Sequence, residues 1–392
     1  MPTEFHSKLQ RELENTLRHL AQRSQNRSLV ETSGVNLCSN DYLGLSEHPA
    51  LKEAVLEAVS AAGRMSGTGS RLLSGHSAAW EELESEFAGF AGTEDALYFG
   101  SGYAANLGLL TSLLGKGDLV FSDALNHASL IDGMRLCGAR REIYAHLDLD
   151  SLENSLRAQV HFPGRKLIVT ESVFSMDGDV APLAEIFALA DRYGAGVILD
   201  EAHATAVHGP SGRGMAAQGD ILENVVAVVH TCGKALASVG AFVCGTSLLK
   251  EHLINHARTL IFSSAMPPYI AGQIQAALRL AQGMDTQRAE LQQKSRRLAA
   301  ALVADGWDTA GSSTQIIPVI TGENADALAA AEFLQREGFA VRAIRPPTVP
   351  ESKARLRFSL TAATPERELD RLRDALAAWR TSECRTAAAG CA

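Results

Sequence analysis

Short apolar segments alternate with helical patterns through the middle of this 392-residue chain. Segments dominated by apolar residues and bounded by turn residues lie at 96–99, 118–122, 166–170, 196–199, 225–229 and 241–244. A short apolar run of this kind is typical of a strand buried on both faces. Between them, apolar residues recur at helical spacing, as at 78–91 and 183–193. The alternation predicts an α/β fold with a doubly wound, mostly parallel central sheet flanked by helices.

The pattern changes at both ends of this region. Residues 4–25 carry apolar positions at helical spacing among charges, which predicts an amphipathic N-terminal helix. A long helical segment at 269–305 is followed by short alternating strands and helices, which predicts a smaller α+β domain. The predicted divisions are an N-terminal helix and arm (1–45), a large α/β domain (46–285), a small C-terminal α+β domain (286–380) and a disordered tail (381–392).

Composition narrows the class of protein. The net charge is −9 and no long basic run is present, which argues against nucleic acid or an anionic membrane as a partner. No apolar segment approaches the ~20 residues of a membrane span, and the charged N-terminus lacks a signal-peptide core. The six cysteines form no CxxC pair, so they are interpreted as reduced thiols of a cytoplasmic protein and not as a metal site.

The strongest candidate for chemistry is Lys234, which follows the apolar strand predicted at 225–229. Open α/β sheets bind their ligands beyond the carboxyl ends of their strands. Small and apolar neighbours, among them Gly233 and Leu236, suit a desolvated amine that can lose its proton and form a Schiff base. A solvated loop lysine is the alternative interpretation, so Lys234 needs partners elsewhere in the chain.

Three other strand ends supply possible partners. Asp200 ends the strand predicted at 196–199, where a buried carboxylate is costly unless it meets a cation or a ring N–H. His127 lies on the loop that leaves the strand 118–122, where its ring could stack on a flat ligand. The turn before Gly102 joins a strand to a helix, and a helix N-terminus can bind a phosphate.

Pyridoxal 5'-phosphate requires this combination of groups. It needs an amine, a carboxylate near the ring nitrogen, a donor to its phenolic oxygen, a stacking face and a helix N-terminus for its phosphate. His203, behind Asp200, is a further candidate donor. In the earlier segment SNDYLGL, by contrast, Asn40 and Asp41 are interpreted as turn formers that bind nearby backbone groups.

A series of motifs supports the same cofactor through a family resemblance. The motifs are SNDYLGL, SGTGSRLLSGH, SGYAANLG, NHASLIDG, ESVFSMDGDVAPL, DEAH, TCGKA, FSSAMPP and IRPPTVP. Across about residues 35–365 the chain resembles the α-oxoamine synthases, which are fold-type I pyridoxal-phosphate transferases. Within that family, IRPPTVP at 344–350 points to the acyltransferase that joins L-alanine to a pimeloyl thioester in biotin synthesis. Whether the acyl carrier is coenzyme A or an acyl carrier protein stays open.

The resemblance implies roles around the cofactor, residue by residue. Lys234 would bind the cofactor aldehyde and act as the general base, Asp200 would pair with the ring nitrogen, and His127 would stack on the ring. The groups near the phenolic oxygen would be Ser175 and His203. The groups that hold the phosphate would be Gly102, Tyr103, Thr231 and, reaching across from a partner subunit, Ser264. No metal is implied.

The resemblance also implies a substrate-binding set and a homodimer with shared active sites. Besides His127, the residues expected to meet substrate are Arg18, Arg345, Thr348 and Arg357. The alternative for these arginines is that they only brace the interface between domains. Thr348 and Ser264 are the candidates for groups contributed to the partner's site.

Two departures from the family pattern and two alternative functions complete the prediction. Cys232 stands where relatives often carry a bulky apolar residue, and Ala204 where glycine is common, but neither change removes a chemical group. One alternative is a sister synthase such as a glycine C-acetyltransferase. The other is a cofactor-binding protein without catalysis, against which the presence of Lys234 and Asp200 argues.

Overall fold

The structure, a computed structural model, describes residues 4–31, 33–218 and 220–390. Its strands are β1 Val35–Asn36, β2 Asp95–Phe99, β3 Leu119–Asp123, β4 Arg140–Tyr144, β5 Lys166–Glu171, β6 Gly196–Asp200, β7 Val225–Thr231, β8 Ala241–Gly245, β9 Ile316–Gly322, β10 Phe339–Ala340, β11 Ala343–Ile344 and β12 Ala354–Ser359. Its α-helices are α1 Glu4–Gln22, α2 Pro49–Ala61, α3 Ala78–Ala91, α4 Gly102–Leu113, α5 Ala128–Leu136, α6 Leu149–Ala158, α7 Leu183–Tyr193, α8 Ser247–His256, α9 Arg258–Ile261, α10 Tyr269–Gln282, α11 Asp285–Ala304, α12 Asn324–Arg336 and α13 Glu366–Gly390.

The central sheet confirms the predicted architecture. In the described part of the chain it has seven strands in the order β2-β8-β7-β6-β5-β3-β4. From β7 to β4 all neighbours are parallel, whereas β8 runs antiparallel to both β7 and β2. The predicted apolar segments all correspond to strands of this sheet. The edge strand β4 was not predicted, because its sequence RREIY is mostly exposed and carries no apolar run.

The inner strands are apolar because both faces of the sheet are covered. Val169, Ile198 and Val229 pack on one face, and their sequence neighbours pack in a second apolar cluster on the other face. Full burial of such a side chain stabilises the fold by about 1.5–3 kcal/mol. The sheet is thereby held rigidly, and the carboxyl ends of its parallel strands meet at one edge.

The C-terminal part forms a second, smaller sheet, with the antiparallel order β11-β12-β9. The segment predicted as one helix over 269–305 is two helices, because α10 ends at Gln282 and α11 begins at Asp285. The N-terminal arm joins this part, since β1 pairs in parallel with β10. The division into domains at 45, 285 and 380 stays a prediction.

The two chain ends contain helices. The predicted amphipathic helix is confirmed as α1, and its apolar side chains Phe5 and Leu17 are 75% and 62% exposed. Helix α13 continues to Gly390, into the stretch 381–392 for which the sequence predicts a disordered tail. The alanine-rich sequence there favours helix, while Cys391 and Ala392 lie outside the described residues. Among the described helices, none has the length and apolar character needed to cross a membrane.

Candidate active site

Lys234 lies in the short turn that joins β7 to β8. The turn is closed by a backbone hydrogen bond of 2.9 Å from Ala237 N–H to the Lys234 carbonyl. Gly240 completes it with φ +90°, and a Cβ there would lie 2.2 Å from the Tyr98 hydroxyl oxygen. Only glycine fits this position. The close approach of the Gly240 backbone to Tyr98 holds the turn in place, and the turn positions the Cα of Lys234.

The surroundings of Lys234 favour a neutral amine. Burial lowers the pKa of Lys234 to about 8, although the carboxylates of Asp200 and Glu171 oppose that shift and Arg357 adds to it. No described residue forms a hydrogen bond with Nζ. An amine with this pKa can act as a nucleophile or base near neutral pH.

Asp200 ends β6 and is the anchor of a chain of hydrogen bonds. Its carboxylate is 4% exposed and accepts from Asn106 Nδ2 at 2.6 Å and from Ala202 N–H at 2.8 Å. Asn106 Nδ2 also donates to Ser129 Oγ at 2.9 Å, and Ser129 Oγ lies 2.8 Å from His127 Nδ1. Asp200 and His127 are therefore fixed relative to one another through two side chains that the sequence interpretation missed.

His127 is held as a neutral ring with a defined tautomer. Its Nδ1 caps helix α5 by accepting from Ser129 N–H at 3.3 Å, which leaves the ring proton on Nε2. Burial lowers the pKa of His127, the charge of Lys234 lowers it further, and Asp200 opposes the shift. The ring is thus suited to stack on a flat ligand without carrying a charge.

Glu171 is a second missed residue. It ends β5 directly beside Asp200 in the parallel register, is 2% exposed, and accepts from His127 N–H at 2.6 Å. Burial and the neighbouring charge of Asp200 raise the pKa of Glu171. The signal that singled out Asp200, a carboxylate at the tip of an apolar strand, was equally present here.

His203 is buried beside residues of the N-terminal arm. The Tyr42 hydroxyl lies 2.7 Å from His203 Nδ1 and 3.0 Å from Asn40 Oδ1. Burial lowers the pKa of His203 well below its ordinary value, and the charges of Lys234 and Arg357 lower it further. A neutral imidazole held at Nδ1 keeps Nε2 available for a ligand.

Arg357 connects the small sheet to this region. It donates from Nε to the Ser175 carbonyl at 2.5 Å, from one terminal nitrogen to Ser359 Oγ at 2.6 Å, and from both terminal nitrogens to Asn40 Oδ1 at 3.2 Å. The Asn40 side chain therefore bonds to other side chains, and its interpretation as a turn former that binds nearby backbone groups is wrong. Asp41 does shape the turn, since it accepts from two backbone N–H groups at 2.9 and 3.0 Å.

The predicted phosphate site lies at the start of α4. Ser101 caps this helix by accepting from Ala104 N–H at 3.0 Å. Gly102 is the first helical residue, and a Cβ built on it would lie 3.6 Å from Thr231 Oγ1. The helix N-terminus, with its free N–H groups and positive dipole end, is thus next to the hydroxyl that ends β7.

The other two predicted phosphate contacts are at the surface. Tyr103 is 42% exposed, and its hydroxyl donates to Asp132. Ser264 is exposed and lines a small cavity of about 30 Å³ together with Gly100 and Arg71. The predicted roles of Tyr103 and Ser264 toward a phosphate stay predictions.

Two predicted substrate arginines form hydrogen bonds within this chain, and their predicted roles toward substrate stay predictions. Arg18 is exposed on α1, where its guanidinium lies 3.3 Å from Asn15 Oδ1. Arg345 is 9% exposed and donates to the carbonyls of Ser24 and Asn26 in the N-terminal arm. The contacts of Arg345 favour the bracing alternative for this residue.

A different arginine accompanies Thr348. Arg27 of the N-terminal arm lies 3.5 Å from Thr348 Oγ1 and 3.4 Å from the Pro346 carbonyl. Both Arg27 and Thr348 are exposed, so a ligand could reach them. The sequence interpretation missed Arg27, because its position relative to the loop depends on how the arm packs.

Comparison with known proteins identifies the class first. The family model for aminotransferase class I and II matches residues 32–376, and the chain belongs to this family. A serine palmitoyltransferase from S. paucimobilis, solved with bound PLP, has a TM-score of 0.86 at 29% identity over 94% of this chain and 98% of its own. The fold is that of a fold-type I pyridoxal-phosphate-dependent transferase, as predicted.

Within this class, the chain is similar in sequence and in structure to one kind of synthase. The 8-amino-7-oxononanoate synthase of Geobacter sulfurreducens is 47% identical over 345 residues, which cover 88% of each chain. The structure of 8-amino-7-oxononanoate synthase from Francisella tularensis has a TM-score of 0.77 at 29% identity, over 90% of this chain and 99% of its own. These similarities confirm the resemblance that the motifs indicated.

Proposed function

We propose that this protein is a pyridoxal-phosphate-dependent acyltransferase that acts in biotin synthesis. It condenses L-alanine with a pimeloyl thioester of coenzyme A or of an acyl carrier protein, and releases carbon dioxide, the free thiol and 8-amino-7-oxononanoate. The observation that carries the proposal is the convergence of Lys234, Asp200, His127 and His203 at one end of the sheet. These four side chains lie together in a chain that is 47% identical to the 8-amino-7-oxononanoate synthase of Geobacter sulfurreducens.

The side chains at the strand ends fit pyridoxal phosphate. Lys234 has an amine with a lowered pKa, Asp200 has a buried carboxylate, and the N-terminus of α4 lies beside Thr231. Lys234 would hold the aldehyde carbon, Asp200 the ring nitrogen and His203 the phenolic oxygen. When bound, the cofactor supplies an electron-withdrawing ring that delocalises the negative charge formed at the amino-acid α carbon.

Lys234 moves the substrate proton in this proposal. With a pKa of about 8, roughly one tenth of the amine is neutral at pH 7. The neutral Nζ takes the proton from the α carbon of alanine and returns a proton at the end of the reaction. The carboxylate of Asp200, which would pair with the ring nitrogen, would stabilise the charge that develops in this step.

Two groups of residues would bind the substrate carboxylates. Arg357, with Asn40 at its guanidinium, would bind the carboxylate of alanine, and this proposal is supported by its contact with the Ser175 loop. Thr348 and Arg27 would bind the far carboxylate of the pimeloyl chain. Support for the second pair comes from their proximity of 3.5 Å and their exposure.

The proposal includes a two-fold homodimer with shared active sites, in which Ser264 and Thr348 serve the partner's site. Two-fold dimers are the commonest closed assembly. Mixing Lys234→Ala chains with Thr348→Val chains should restore part of the activity, because one of the two sites in each mixed dimer would be intact. A protein that is monomeric by light scattering at assay concentration would contradict the proposal.

Mass spectrometry of reaction products tests the function. Alanine and glycine are each offered with acetyl and pimeloyl thioesters, and the pimeloyl group is supplied on coenzyme A and on an acyl carrier protein. The expected product is 8-amino-7-oxononanoate from alanine with the pimeloyl thioester. A preference for glycine with the acetyl thioester would instead identify a sister synthase of the glycine C-acetyltransferase kind.

A further inference from the structure

A histidine outside the proposed catalytic set connects two of the loops that form the site. His146 follows β4, and its Nδ1 lies 2.8 Å from Asp123 Oδ1 while its Nε2 lies 2.9 Å from Asp179 Oδ2. The side chains of His146, Asp123 and Asp179 are 20%, 0% and 17% exposed. The imidazole ring also packs edge-on against Phe174, with 4.5 Å between ring centroids.

The two contacts require a charged ring. A neutral imidazole has a single N–H and can donate to only one carboxylate, so its other nitrogen would direct a lone pair at the second carboxylate. Although burial opposes the charge, the hydrogen bonds and negative charges of Asp123 and Asp179 raise the pKa of His146 to about 10. His146 is therefore an imidazolium at neutral pH and donates to both aspartates.

Asp123 shapes the loop that carries His127. It ends β3, and its carboxylate also accepts from Leu125 N–H at 2.8 Å and from Leu147 N–H at 3.0 Å. Leu125 is two residues before His127 in the chain. The carboxylate thus fixes the start of the His127 loop and the end of the His146 segment at once.

Asp179 belongs to the loop that carries Ser175. This loop is closed by the bridge between Val173 and Val180 and by a hydrogen bond of 3.1 Å from Phe174 N–H to the Asp179 carbonyl. Asp179 Oδ1 is buried without a partner among the described residues, so His146 is the hydrogen-bond donor to this side chain. The tip of the loop is held separately, by Arg357 at the Ser175 carbonyl.

We propose that His146, as a cation shared by Asp123 and Asp179, is a positioning residue that fixes the His127 loop relative to the Ser175 loop. In this proposal it acts through the two loops and not by contact with substrate or cofactor. The identity of the ligand between the two loops rests on the proposed function, whereas the bridge itself does not. Loss of the bridge would loosen His127, which would stack on the cofactor ring, relative to Ser175, which would lie near the phenolic oxygen. It should therefore slow the reaction more than it weakens alanine binding.

The test uses the cofactor-loaded enzyme and the variants His146→Gln and Asp179→Asn. The first removes the cation, and the second keeps the shape of the acceptor but removes its charge. The matched control is His252→Gln, which removes a partly buried histidine outside the two loops. Its ring donates to the Ser112 carbonyl of α4 at 2.9 Å and stacks on His256. The three measurements are ¹³Cε1 NMR of histidine, circular dichroism in the visible band of the cofactor, and kcat and KM for alanine.

The expected results are specific to a positioning role. The NMR signal that His146→Gln removes should belong to an imidazolium from pH 6 to 9 in the wild type, and should titrate at least one pH unit lower in Asp179→Asn. Both variants should lower kcat about tenfold or more with KM changed less than threefold, and should alter the visible dichroism. The control should match the wild type.

Two outcomes would overturn the inference. A neutral His146 at pH 7 in the wild type would remove the shared cation. Unchanged kcat and dichroism in a variant that only melts at a lower temperature would make the bridge purely structural. If His146→Gln does not fold, the same measurements of kcat, KM and visible dichroism on the isosteric variant Asp179→Asn decide whether the bridge positions the two loops. If the wild type makes no product from alanine and a pimeloyl thioester while the NMR and dichroism results hold, the proposed function fails and the bridge stands.

Discussion

Replacement of Asp200 by asparagine removes a charge at the centre of the site and leaves the fold almost unchanged. The asparagine Oδ1 can still accept from Ala202 N–H. Its new NH₂ group faces the NH₂ group of Asn106, which donates to Asp200 at 2.6 Å in the wild type. Asn106 Oδ1 is buried and unpartnered among the described residues, so this amide can turn over and accept instead. The rearrangement loses the bond to Ser129, which costs about 0.5–1.5 kcal/mol of folding free energy.

The catalytic cost should be larger than the folding cost. In the proposed mechanism the Asp200 carboxylate stabilises the charge that develops when alanine loses its α proton. Loss of one preorganised electrostatic partner typically costs about 2.7–4 kcal/mol, or roughly 10²–10³ in rate. We therefore expect Asp200→Asn to slow α-proton exchange about 100-fold. Because the charge of Asp200 raises the pKa of Lys234, the variant should also reach half-maximal exchange at a lower pH.

The assay is ¹H NMR of alanine α-proton exchange in deuterated water, normalised to bound cofactor. Asp118→Asn is the matched control, because Asp118 pairs with Arg165 at 2.7 Å at the opposite end of β3 and should affect stability without affecting exchange. Exchange in Asp200→Asn at the wild-type rate would refute the assigned role. A slow rate with a folded, cofactor-loaded protein would support it.

Three further predictions follow from the geometry. Lys234→Ala should lose both the visible absorbance of the bound cofactor and all turnover, and a variant that turned over near the parent rate would remove Lys234 as the base. The folded-state pKa of His146 is raised from 6.5 to about 10, so its contribution to stability should be complete below pH 6.5. That contribution should be lost as the pH rises toward 10, by up to about 1.4 kcal/mol per pH unit. Urea unfolding of the wild type and of His146→Gln measures the difference between their free energies of unfolding, and the same difference at pH 6 and at pH 9.5 would contradict this. Arg27→Ala should reduce the preference for a pimeloyl thioester over an equally long methyl-ended thioester by about tenfold or more. Arg192→Ala, which removes an exposed arginine paired with Glu153 at 3.0 Å, is the control; a wild type that uses both thioesters equally would contradict the prediction.

The residues that the sequence could predict are those whose placement is set locally. Lys234, Asp200 and His127 each follow an apolar strand, and parallel strand ends meet at one edge whatever the rest of the chain does. Glu171 follows the same pattern, since it ends the apolar strand β5, so the sequence carries the same signal for it. Asn106 is different, because only the packing of α4 against the strand ends brings its amide to Asp200.

The arginines show where sequence reasoning reaches its limit. Arg345 carries the right charge in the right motif, yet its guanidinium is directed at carbonyls of the arm. Arg27 lies beside Thr348 through a contact across 321 residues of sequence. A long flexible side chain can be placed only when the backbone on both sides of it is known, and no local pattern encodes that arrangement.

The contact between Asn40 and Arg357, separated by 317 residues, has a consequence for the order in which the site is completed. During synthesis the parallel strands and the Lys234 turn can fold while the chain is still growing, since their neighbours have already been made. Arg357 contacts both the Ser175 loop and Asn40, and it lies on β12, which is synthesised close to the end of translation. A ribosome-bound or prematurely terminated chain would therefore carry Lys234 in a site without Arg357. In the proposed function, such a chain could not bind cofactor and alanine as the complete chain does.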